Sequence, residues 1–568
     1  MRSPATPLAT PSAGAPGFVP AALIAFPFLS PLVAGPSANV WQLLVAWACA
    51  TALWALSPRA LPSRGVLALL AFLAASIALR RGHDLSQSLG ACVALAMAAV
   101  AASVGAGWAR GRGGHDGRDE AAAPLARGLF AAGVLSAVLG LCQYYGAADW
   151  LGPFTTAPDV GQAYGNLRQR NQFATLISMA LVAALWLHAG FGVGGRARLA
   201  WWGGVGLLTL AAAASTSRTG LLQWLAISVA AAALAWGERR GRAAAAPRLP
   251  HPVGLLSLVP AYFVAASLLP RLAGPAVEDM LRRLREGAPD GHSRLLLWRN
   301  VLDLVAERPW GGWGWGELSF AHFSHLYAGP RFVEILDNAH NLPLHLAVEL
   351  GVPVAVAVCA GFMALVLGAR PWRERDPTRL MAWGVLGAMV LHSLLEYPLW
   401  YGPFQLVFGL CLGLLWPATS AVDVAAPRRT GPVAVHAVTA LLVAVVAYTG
   451  WDYLRISQIY VARAERLPPW QEHTLEKLRA SWLFAGQVQF AELSLTPVVR
   501  ANAAAVNTLA RGVMHFSPEP RVVAKLVESA TLLDRDDEAL ALAARFKIAY
   551  PVEYARWILG EAPDAPGD

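Results

Sequence analysis

The sequence predicts an all-α, polytopic membrane protein with about thirteen transmembrane helices, and three observations support this prediction. Only 14% of the 568 residues are Asp, Glu, Lys or Arg, whereas soluble globular chains contain about 25%. The mean hydropathy is +0.45. Apolar runs of about 18 to 25 residues recur from Phe18 to Tyr448, and such runs are long enough to cross a hydrocarbon core about 30 Å thick. The composition therefore excludes a soluble enzyme with a membrane tether.

The apolar runs give the position of each span along the chain. They fall near 18–35, 39–56, 65–79, 86–108, 127–147, 172–191, 199–215, 219–237, 252–270, 341–368, 379–397, 402–417 and 433–450. Only Arg2 precedes the first run, and another span follows it closely. We therefore interpret the first run as a retained helix rather than a cleaved signal peptide.

The arginines in the connecting loops predict the orientation in the membrane. With a cytoplasmic N-terminus, most loop arginines face the cytoplasm, and the short outer loops hold five, which are Arg80, Arg81, Arg168, Arg170 and Arg218. This asymmetry follows the positive-inside rule. Topology and anionic membrane lipids also account for the net charge of +9, so we expect no nucleic-acid partner.

An odd number of spans places the C-terminal part of the chain outside, which is the periplasm if the host is a Gram-negative bacterium. Residues 1–450 form the predicted transmembrane domain, with a large periplasmic loop at 271–340. Residues 451–568 hold 28 of the charged side chains and all three lysines, as a water-soluble domain would. Within the long loop, apolar side chains along one side of 276–287, with arginines around them, predict a segment along the membrane surface.

The C-terminal domain is predicted to be helical, because it shows no alternation of apolar and polar residues. Its apolar pattern indicates helices over 499–514 and 521–549. The intervening Ser517-Pro518-Glu519-Pro520 cannot continue a helix.

Neither cysteines nor paired His and Glu residues favour a metal site. The five cysteines lie in apolar runs without metal-like spacing, so we expect neither structural disulfides nor zinc ligands among them. His345 and Glu349 are four residues apart, as are His392 and Glu396, and each pair shares one helix face. We interpret them as hydrogen-bonded couples; a metal site built from both pairs is the alternative. No cofactor and no metal are predicted.

Three clusters place arginines on the outer face, where the positive-inside rule does not expect them. They are Arg168-Gln169-Arg170-Asn171-Gln172, Ser215-Thr216-Ser217-Arg218-Thr219-Gly220 and His292-Ser293-Arg294. The planar guanidinium fork matches phosphate oxygens, so a lipid-linked pyrophosphate is a suitable ligand. Headgroup contact and topology are the alternative explanation. Arg218 is the strongest candidate, because a charged residue in a short turn between two apolar helices is more often functional than structural.

A second constellation, Asp337-Asn338-Ala339-His340-Asn341, lies at the entry to the tenth predicted span. The neutral imidazole of His340 can accept a proton from an attacking hydroxyl. The alternative is a histidine at a helix start for which Asn338 is the cap.

Two aromatic segments lie on the same face. The Trp310-Gly311-Gly312-Trp313-Gly314-Trp315-Gly316 run suits an interfacial anchor, and stacking on sugar rings is its alternative. The phenol of Tyr397, in Glu396-Tyr397-Pro398-Leu399-Trp400-Tyr401, is a candidate ligand contact, with aromatic-belt anchoring as its alternative.

These motifs, in this order, resemble those of the O-antigen ligase and O-antigen polymerase superfamily, and most closely the bacterial protein O-oligosaccharyltransferases that glycosylate pilins. The resemblance covers about residues 130–420, and the tail resembles that branch less specifically. The residues that carry it are Gly165–Gln172, Ser217–Thr219, His292–Arg294, Trp310–Gly314, Asn338–Asn341 and Glu396–Leu399.

The resemblance implies a GT-C-like fold for a glycosyltransferase of the bacterial inner membrane that uses lipid-linked sugar, with its active site facing the periplasm. It also implies a role for each matching residue. His340 would be the base that activates the acceptor hydroxyl, and Arg218 and Arg294 would bind undecaprenyl pyrophosphate. Gln169 and Tyr397 match polar positions of the protein-glycosylating branch. Charge adds Arg170 and Arg168 to the pyrophosphate site, and position adds Asn338 and Asn341 to the substrate or acceptor site.

The predicted function is transfer of a preassembled oligosaccharide from undecaprenyl diphosphate to Ser or Thr hydroxyls of periplasmic or pilin-like proteins, with inversion and without a metal. Preplaced guanidinium groups can meet the negative charge that develops on the leaving oxygen. The alternatives are ligation to lipid A core, O-antigen polymerisation, and a flippase or transporter of lipid-linked sugar. Transporters usually gather polar groups near the membrane midplane, whereas here these groups lie at the outer face.

Overall fold

A computed structural model of the chain describes residues 17–32, 35–110, 120–191, 195–240, 248–274, 277, 280, 285, 293–418 and 432–561. Within these ranges the regular structure is helical, apart from two isolated backbone bridges. The α-helices in order are Phe18–Leu29, Ala38–Leu56, Arg64–Leu79, Leu85–Arg110, Ala123–Tyr144, Arg170–Phe191, Gly195–Ala214, Arg218–Arg240, Pro252–Leu256, Leu258–Ala273, Arg294–Glu307, Leu318–Ser324, Leu342–Leu350, Val352–Ala369, Pro377–Ser393, Gly402–Leu415, Pro432–Ser457, Thr474–Leu478, Ala485–Leu495, Ala503–Phe516, Pro520–Leu532, Asp536–Ala549 and Pro551–Ile558.

The prediction of an all-α polytopic membrane protein is confirmed. Nine of the described helices are long and apolar enough to cross a membrane, and three shorter apolar helices are Phe18–Leu29, Arg64–Leu79 and Gly402–Leu415. The remaining predicted span, 379–397, corresponds to the 17-residue helix Pro377–Ser393. The count of thirteen spans stays a prediction, because several of these helices are short for a hydrocarbon core.

The predicted span 341–368 is wrong as a single helix. Leu342–Leu350 and Val352–Ala369 are separated at Gly351, whose φ is 90°. A Cβ at Gly351 would lie 2.5 Å from the carbonyl oxygen of Trp310. The break therefore exists because another stretch of backbone passes directly against it.

The Trp-Gly run of the long loop is that passing backbone. Its Trp313 N–H donates to the Val348 carbonyl at 2.9 Å, and the Val352 N–H donates to the Pro309 carbonyl at 2.8 Å. Trp315 is buried, with its ring stacked 6.1 Å from that of Trp400. Only Trp310, 78% exposed, has the exposure that an interfacial anchor requires. The glycines of this run mainly allow close backbone packing.

The bundle is held together by very close helix contacts. Helix Gly402–Leu415 packs against Leu85–Arg110 through Gly409 and Gly413. A Cβ at Gly413 would lie 1.9 Å from the Ala102 carbonyl oxygen. Small residues four apart allow backbones to approach in membranes, where van der Waals packing drives helix association.

The C-terminal helices pack onto the long loop between Ala273 and Leu342. Phe323 of the loop belongs to the same buried cluster as Val513, Phe546 and Tyr550 of the tail. The rings of Phe323 and Tyr550 are stacked 6.3 Å apart. Tail and loop therefore share one hydrophobic core.

Two boundaries in the C-terminal region differ from those expected. The helix Pro432–Ser457 continues past residue 450, where the predicted domain begins. The predicted helix 521–549 is two helices, Pro520–Leu532 and Asp536–Ala549. The chain turns between them at Asp534, whose φ is 57°. Most of 276–287, and His292, lie outside the described residues.

Candidate functional site

Glu396 is the centre of a group of side chains at one end of the bundle, which we call the carboxylate hub. Its Oε2 lies 2.6 Å from Nδ1 of His340, and its Oε1 forms a salt bridge with Nη2 of Arg294. Asn171 Nδ2 donates to Oε1 at 3.1 Å, and Gln169 Nε2 donates to Oε2 at 3.4 Å. The hub therefore joins three of the predicted motifs around one carboxylate.

The carboxylate at this position is ionised. Burial raises the pKa of Glu396, but the hydrogen bonds and charges of His340 and Arg294 outweigh burial and lower the pKa to about 2. The side chain is only 4% exposed. A buried, ionised carboxylate that accepts several hydrogen bonds fixes the side chains that donate to it.

The backbone at His340 is held in an unusual conformation. Its φ is 49°, in the left-handed region that non-glycine residues rarely occupy. Asn338 Oδ1 accepts a hydrogen bond from the His340 N–H at 2.9 Å, closing a local side-chain turn. Trp298 Nε1 donates to the Ala339 carbonyl at 3.1 Å and secures the preceding residue. These contacts aim the imidazole at Glu396.

The asparagine that caps the helix after His340 is not the one that the sequence suggested as the alternative. The helix cap is Asn341, whose Oδ1 accepts from the Leu344 N–H at 3.0 Å, and not Asn338. Asn341 Nδ2 also donates to the Leu394 carbonyl at 2.9 Å. Asn341 thus links the start of its own helix to the segment that carries Glu396.

The arginine-bearing turn at 215–220 is connected to the hub through Asn171. Ser217 Oγ donates to Asn171 Oδ1 at 2.6 Å, and Arg170 Nη1 donates to Thr216 Oγ1 at 3.5 Å. Arg218 is exposed and is the first residue of helix Arg218–Arg240. The positive end of the helix dipole favours an anion at this position.

Arg168 contacts the segment that follows the first helix. Its Nη2 donates to the Leu32 carbonyl at 2.8 Å, just beyond the end of helix Phe18–Leu29. Arg168 shares one feature with the site, because Arg168, Thr216 and His340 all have positive φ, between 49° and 56°. Such strained residues gather at functional sites.

The ring of Tyr397 packs against that of His340. The two rings meet edge to face, with centroids 4.8 Å apart. Burial raises the pKa of the Tyr397 phenol, so its hydroxyl stays protonated at neutral pH. It can therefore act as a hydrogen-bond donor.

Sequence reasoning did not recognise Glu396 and Asn171 as parts of the site. Glu396 was paired with His392 on helical spacing, but His392 Nδ1 lies 2.8 Å from Thr175 Oγ1 and Glu396 is turned toward His340. Both residues lie inside the motifs that carry the family resemblance. Their position inside these motifs could have identified Glu396 and Asn171 as candidate site residues.

His345 and Glu349 face each other, with Nε2 of the histidine 3.4 Å from Oε2 of the glutamate. Within the described chain the glutamate oxygens accept no hydrogen bond from this ring, so the predicted hydrogen-bonded couple is not formed. The pair does not meet the hub carboxylate. All five cysteines are free. Across the described ranges, one group of at least three side chains has ligand atoms close enough together to hold a metal ion: His83, Glu317 and His515.

Comparisons with known proteins agree with the motifs. Residues 163–188 match the family described as protein glycosylation ligase, residues 203–359 the family described as O-antigen ligase, and residues 380–561 the family described as virulence factor membrane-bound polymerase, C-terminal. These segments contain the hub residues: Gln169 and Asn171 lie in the first, Arg294 and His340 in the second, and Glu396 in the third.

A curated relative gives the same indication. The chain is 26% identical over 314 residues to a general O-oligosaccharyltransferase of Acinetobacter baylyi. The aligned segment covers 51% of this chain and 50% of the relative. The chain thus matches about half the length of that relative. The resemblance to the superfamily of O-antigen ligases and bacterial protein O-oligosaccharyltransferases is therefore confirmed.

Proposed function

We propose that the protein is a membrane glycosyltransferase that moves a preassembled oligosaccharide from undecaprenyl diphosphate to Ser or Thr hydroxyls of periplasmic or pilin-like proteins. The observation that carries the proposal is the His340–Glu396 pair, linked through Asn171 to the turn that bears Arg218. The similarity to an O-oligosaccharyltransferase supports the reaction class.

The hub makes His340 a suitable general base. Ionised Glu396 can only accept a hydrogen bond, so Nδ1 of His340 carries the proton in their 2.6 Å contact. The lone pair of the neutral ring is then on Nε2. This nitrogen takes the proton of the acceptor hydroxyl, and Glu396 stabilises the imidazolium that results.

The bond changes follow an inverting displacement. The acceptor oxygen attacks the anomeric carbon while the bond from that carbon to the diphosphate oxygen breaks. The proton of the acceptor moves to His340 Nε2, and the electron pair of the broken bond stays on the diphosphate. Attack from the face opposite the leaving group inverts the anomeric centre.

The arginines would stabilise the leaving group. Arg218 and Arg170 lie at or beside a helix N-terminus that favours anions. Arg294 already binds Glu396, but its side chain is 39% exposed and a guanidinium has five N–H donors. Arg294 can therefore hold the carboxylate and contact phosphate together. Fixed positive groups that meet the developing charge need no metal for this step.

Ligation to lipid A core is the second candidate, because residues 203–359 match the family described as O-antigen ligase. The match at 163–188 and the curated relative favour a protein acceptor. The chemistry at His340 is the same for both acceptors, so only the acceptor distinguishes them.

The test is a transfer assay with purified protein, undecaprenyl-diphosphate oligosaccharide and two competing acceptors, a pilin with a Ser-rich segment and lipid A core. Wild type, His340→Ala and the control His473→Ala are compared, with and without EDTA, at a temperature well below unfolding. We expect glycosylated pilin from wild type and control alone, unchanged by EDTA. Transfer to lipid A core alone would select the second candidate. Normal transfer by His340→Ala would overturn the assignment of the base.

A further inference from the structure

We propose that His83, Glu317 and His515 bind one divalent cation of the zinc type, at a site separate from the carboxylate hub. The three residues come from segments far apart in the sequence. His83 lies in the turn before helix Leu85–Arg110, Glu317 lies in the long loop, and His515 lies in helix Ala503–Phe516 of the tail. This site is independent of the proposed glycosyl transfer.

The distances between the ligand atoms suit a tetrahedral ion. Nδ1 of His515 lies 2.7 Å from Glu317 Oε2, and Nδ1 of His83 lies 3.5 Å from Glu317 Oε1. One ligand atom from each residue lies within 4.8 Å of the others. With metal–ligand bonds of about 2.0 to 2.2 Å, tetrahedral ligands stand about 3.3 to 3.6 Å apart. Small side-chain shifts would therefore bring all three onto one ion.

The two imidazoles lie side by side at the same carboxylate. The rings of His83 and His515 are stacked 3.7 Å apart with an interplanar angle of 15°. A divalent ion of the zinc type would take one nitrogen from each imidazole and an oxygen of Glu317 as its ligands.

The surrounding structure already holds the ligands in place. The backbone N–H of His83 donates to Glu317 Oε1 at 2.6 Å, and the ring of Phe320 stacks 3.9 Å from that of His515. The Glu317 side chain is 7% exposed, whereas that of His83 is 68% exposed. The site is therefore anchored on its inner side and open to solvent on its outer side, where a water can complete the coordination.

A cation at this position would clamp three parts of the molecule together. The tail already packs on the long loop through Phe323 and Tyr550. His83 belongs to the connection between helices Arg64–Leu79 and Leu85–Arg110 of the bundle. The ion would thus fasten the tail and the loop to the membrane helices, and we expect it to act on stability rather than on transfer chemistry.

The experiment uses the full chain in detergent, stripped with a chelator and then dialysed against Zn²⁺ or Co²⁺. Bound zinc per chain, the visible absorption of bound Co²⁺ and the melting temperature are measured for wild type, His83→Gln and His515→Gln. His473→Gln is the matched control, because His473 and Glu476 form a pair 3.5 Å apart that is exposed on both sides.

We expect one zinc per chain and a higher melting temperature in wild type and control, with affinity at least about tenfold weaker in both site variants. A tetrahedral Co²⁺ spectrum that appears in wild type and in the control, but in neither site variant, would support the same ligands. His83→Gln folds without strain because the side chain is exposed, so its metal-free melting curve checks folding. Absence of stoichiometric zinc in wild type, or equal affinity in all variants, would overturn the proposal. Neither result depends on transfer activity.

Discussion

Nδ1 of His340 lies 2.6 Å from Oε2 of Glu396, a residue 56 positions further along the chain. The same carboxylate binds Arg294 and accepts hydrogen bonds from Asn171 and Gln169. An imidazole whose Nδ1 donates to a buried carboxylate has a fixed orientation and a fixed tautomer. This relationship determines which nitrogen can act on a substrate.

The Glu396→Gln substitution should lower kcat for glycan transfer on the order of 10²- to 10⁴-fold. An amide can turn its NH₂ toward Nδ1, which favours the wrong tautomer, and it no longer stabilises the imidazolium. Glu374→Gln is the control, because Glu374 forms a salt bridge with Arg379 at 2.6 Å outside the hub. Steady-state transfer rates and melting temperatures are measured for both. Wild-type kcat in Glu396→Gln would contradict the positioning role.

Asn338→Ala should reduce kcat and leave the KM for the acceptor nearly unchanged. The substitution removes the oxygen that accepts the His340 N–H and so releases the left-handed backbone that aims the ring. The lost hydrogen bond also costs about 1 kcal/mol of stability. Asn338→Asp keeps the acceptor oxygen and should restore most activity.

Asn502→Ala is the matched control for that substitution. Asn502 Oδ1 accepts from the Val499 N–H at 2.9 Å in the tail, so it makes a similar local contact away from the site. We expect a comparable loss of stability without a change in kcat. If Asn338→Ala behaves in the same way as this control, Asn338 has only a structural role.

Arg168→Ala and Arg218→Ala should have different effects. Arg218→Ala removes a cation beside the proposed diphosphate site and should raise the KM for the lipid-linked donor and lower kcat. Arg168→Ala removes a contact with the Leu32 carbonyl, so it should mainly lower the melting temperature. Donor titrations at fixed acceptor concentration measure the difference. An equal rise in donor KM for both variants would place Arg168 at the diphosphate.

Acid should destabilise the protein through His322, which lies in the long loop. Burial is the main cause that lowers the pKa of His322 to about 3, with the charge of Arg331 acting in the same direction. The unfolded side chain has a pKa of about 6.5, so the unfolded state binds more protons between these values. Stability should therefore fall as the pH decreases below about 6.5.

Melting temperatures between pH 7 and pH 4 check this prediction. His322→Gln should show a shallower dependence on pH, even if its stability at pH 7 is lower. The exposed His473→Gln variant should keep the wild-type dependence. An unchanged slope in His322→Gln would assign the acid sensitivity to another group.

Gly413→Ala should destabilise the membrane bundle by about 1 to 3 kcal/mol, the usual cost of overpacking. The new Cβ would lie 1.9 Å from the Ala102 carbonyl oxygen, and backbone atoms cannot yield as a flexible side chain does. Gly512→Ala is the control, because a Cβ at this exposed helical glycine meets nothing within 4 Å. It should be neutral or stabilising by up to about 1 kcal/mol. Equal unfolding curves for the two variants would contradict the packing argument.

The fold class and the location of the site motifs follow from local properties of the sequence. Apolar runs long enough to span a hydrocarbon core predicted the helices, because a helix satisfies the backbone hydrogen bonds of a single run inside the bilayer. Arginines on the wrong side of the charge asymmetry, together with a histidine at a helix entry, selected the segments that the structure joins. This information selected Arg294 and His340 as candidate site residues, whereas Gln169 and the role of each residue came from the family resemblance.

The pairing of these residues was decided only by the tertiary structure. Glu396 and His392 are four residues apart, and helical spacing favoured a contact between them, but the helix ends at Ser393 and frees Glu396 to turn toward His340. In the same way, the break at Gly351 depends on the backbone of Trp310, which lies far away in sequence. The sequence by itself determined that this is a helical membrane protein and which segments carry its charged and titratable groups. Which carboxylate meets which imidazole depended on how the helix ends come together, because close packing between distant segments is a property of the folded chain.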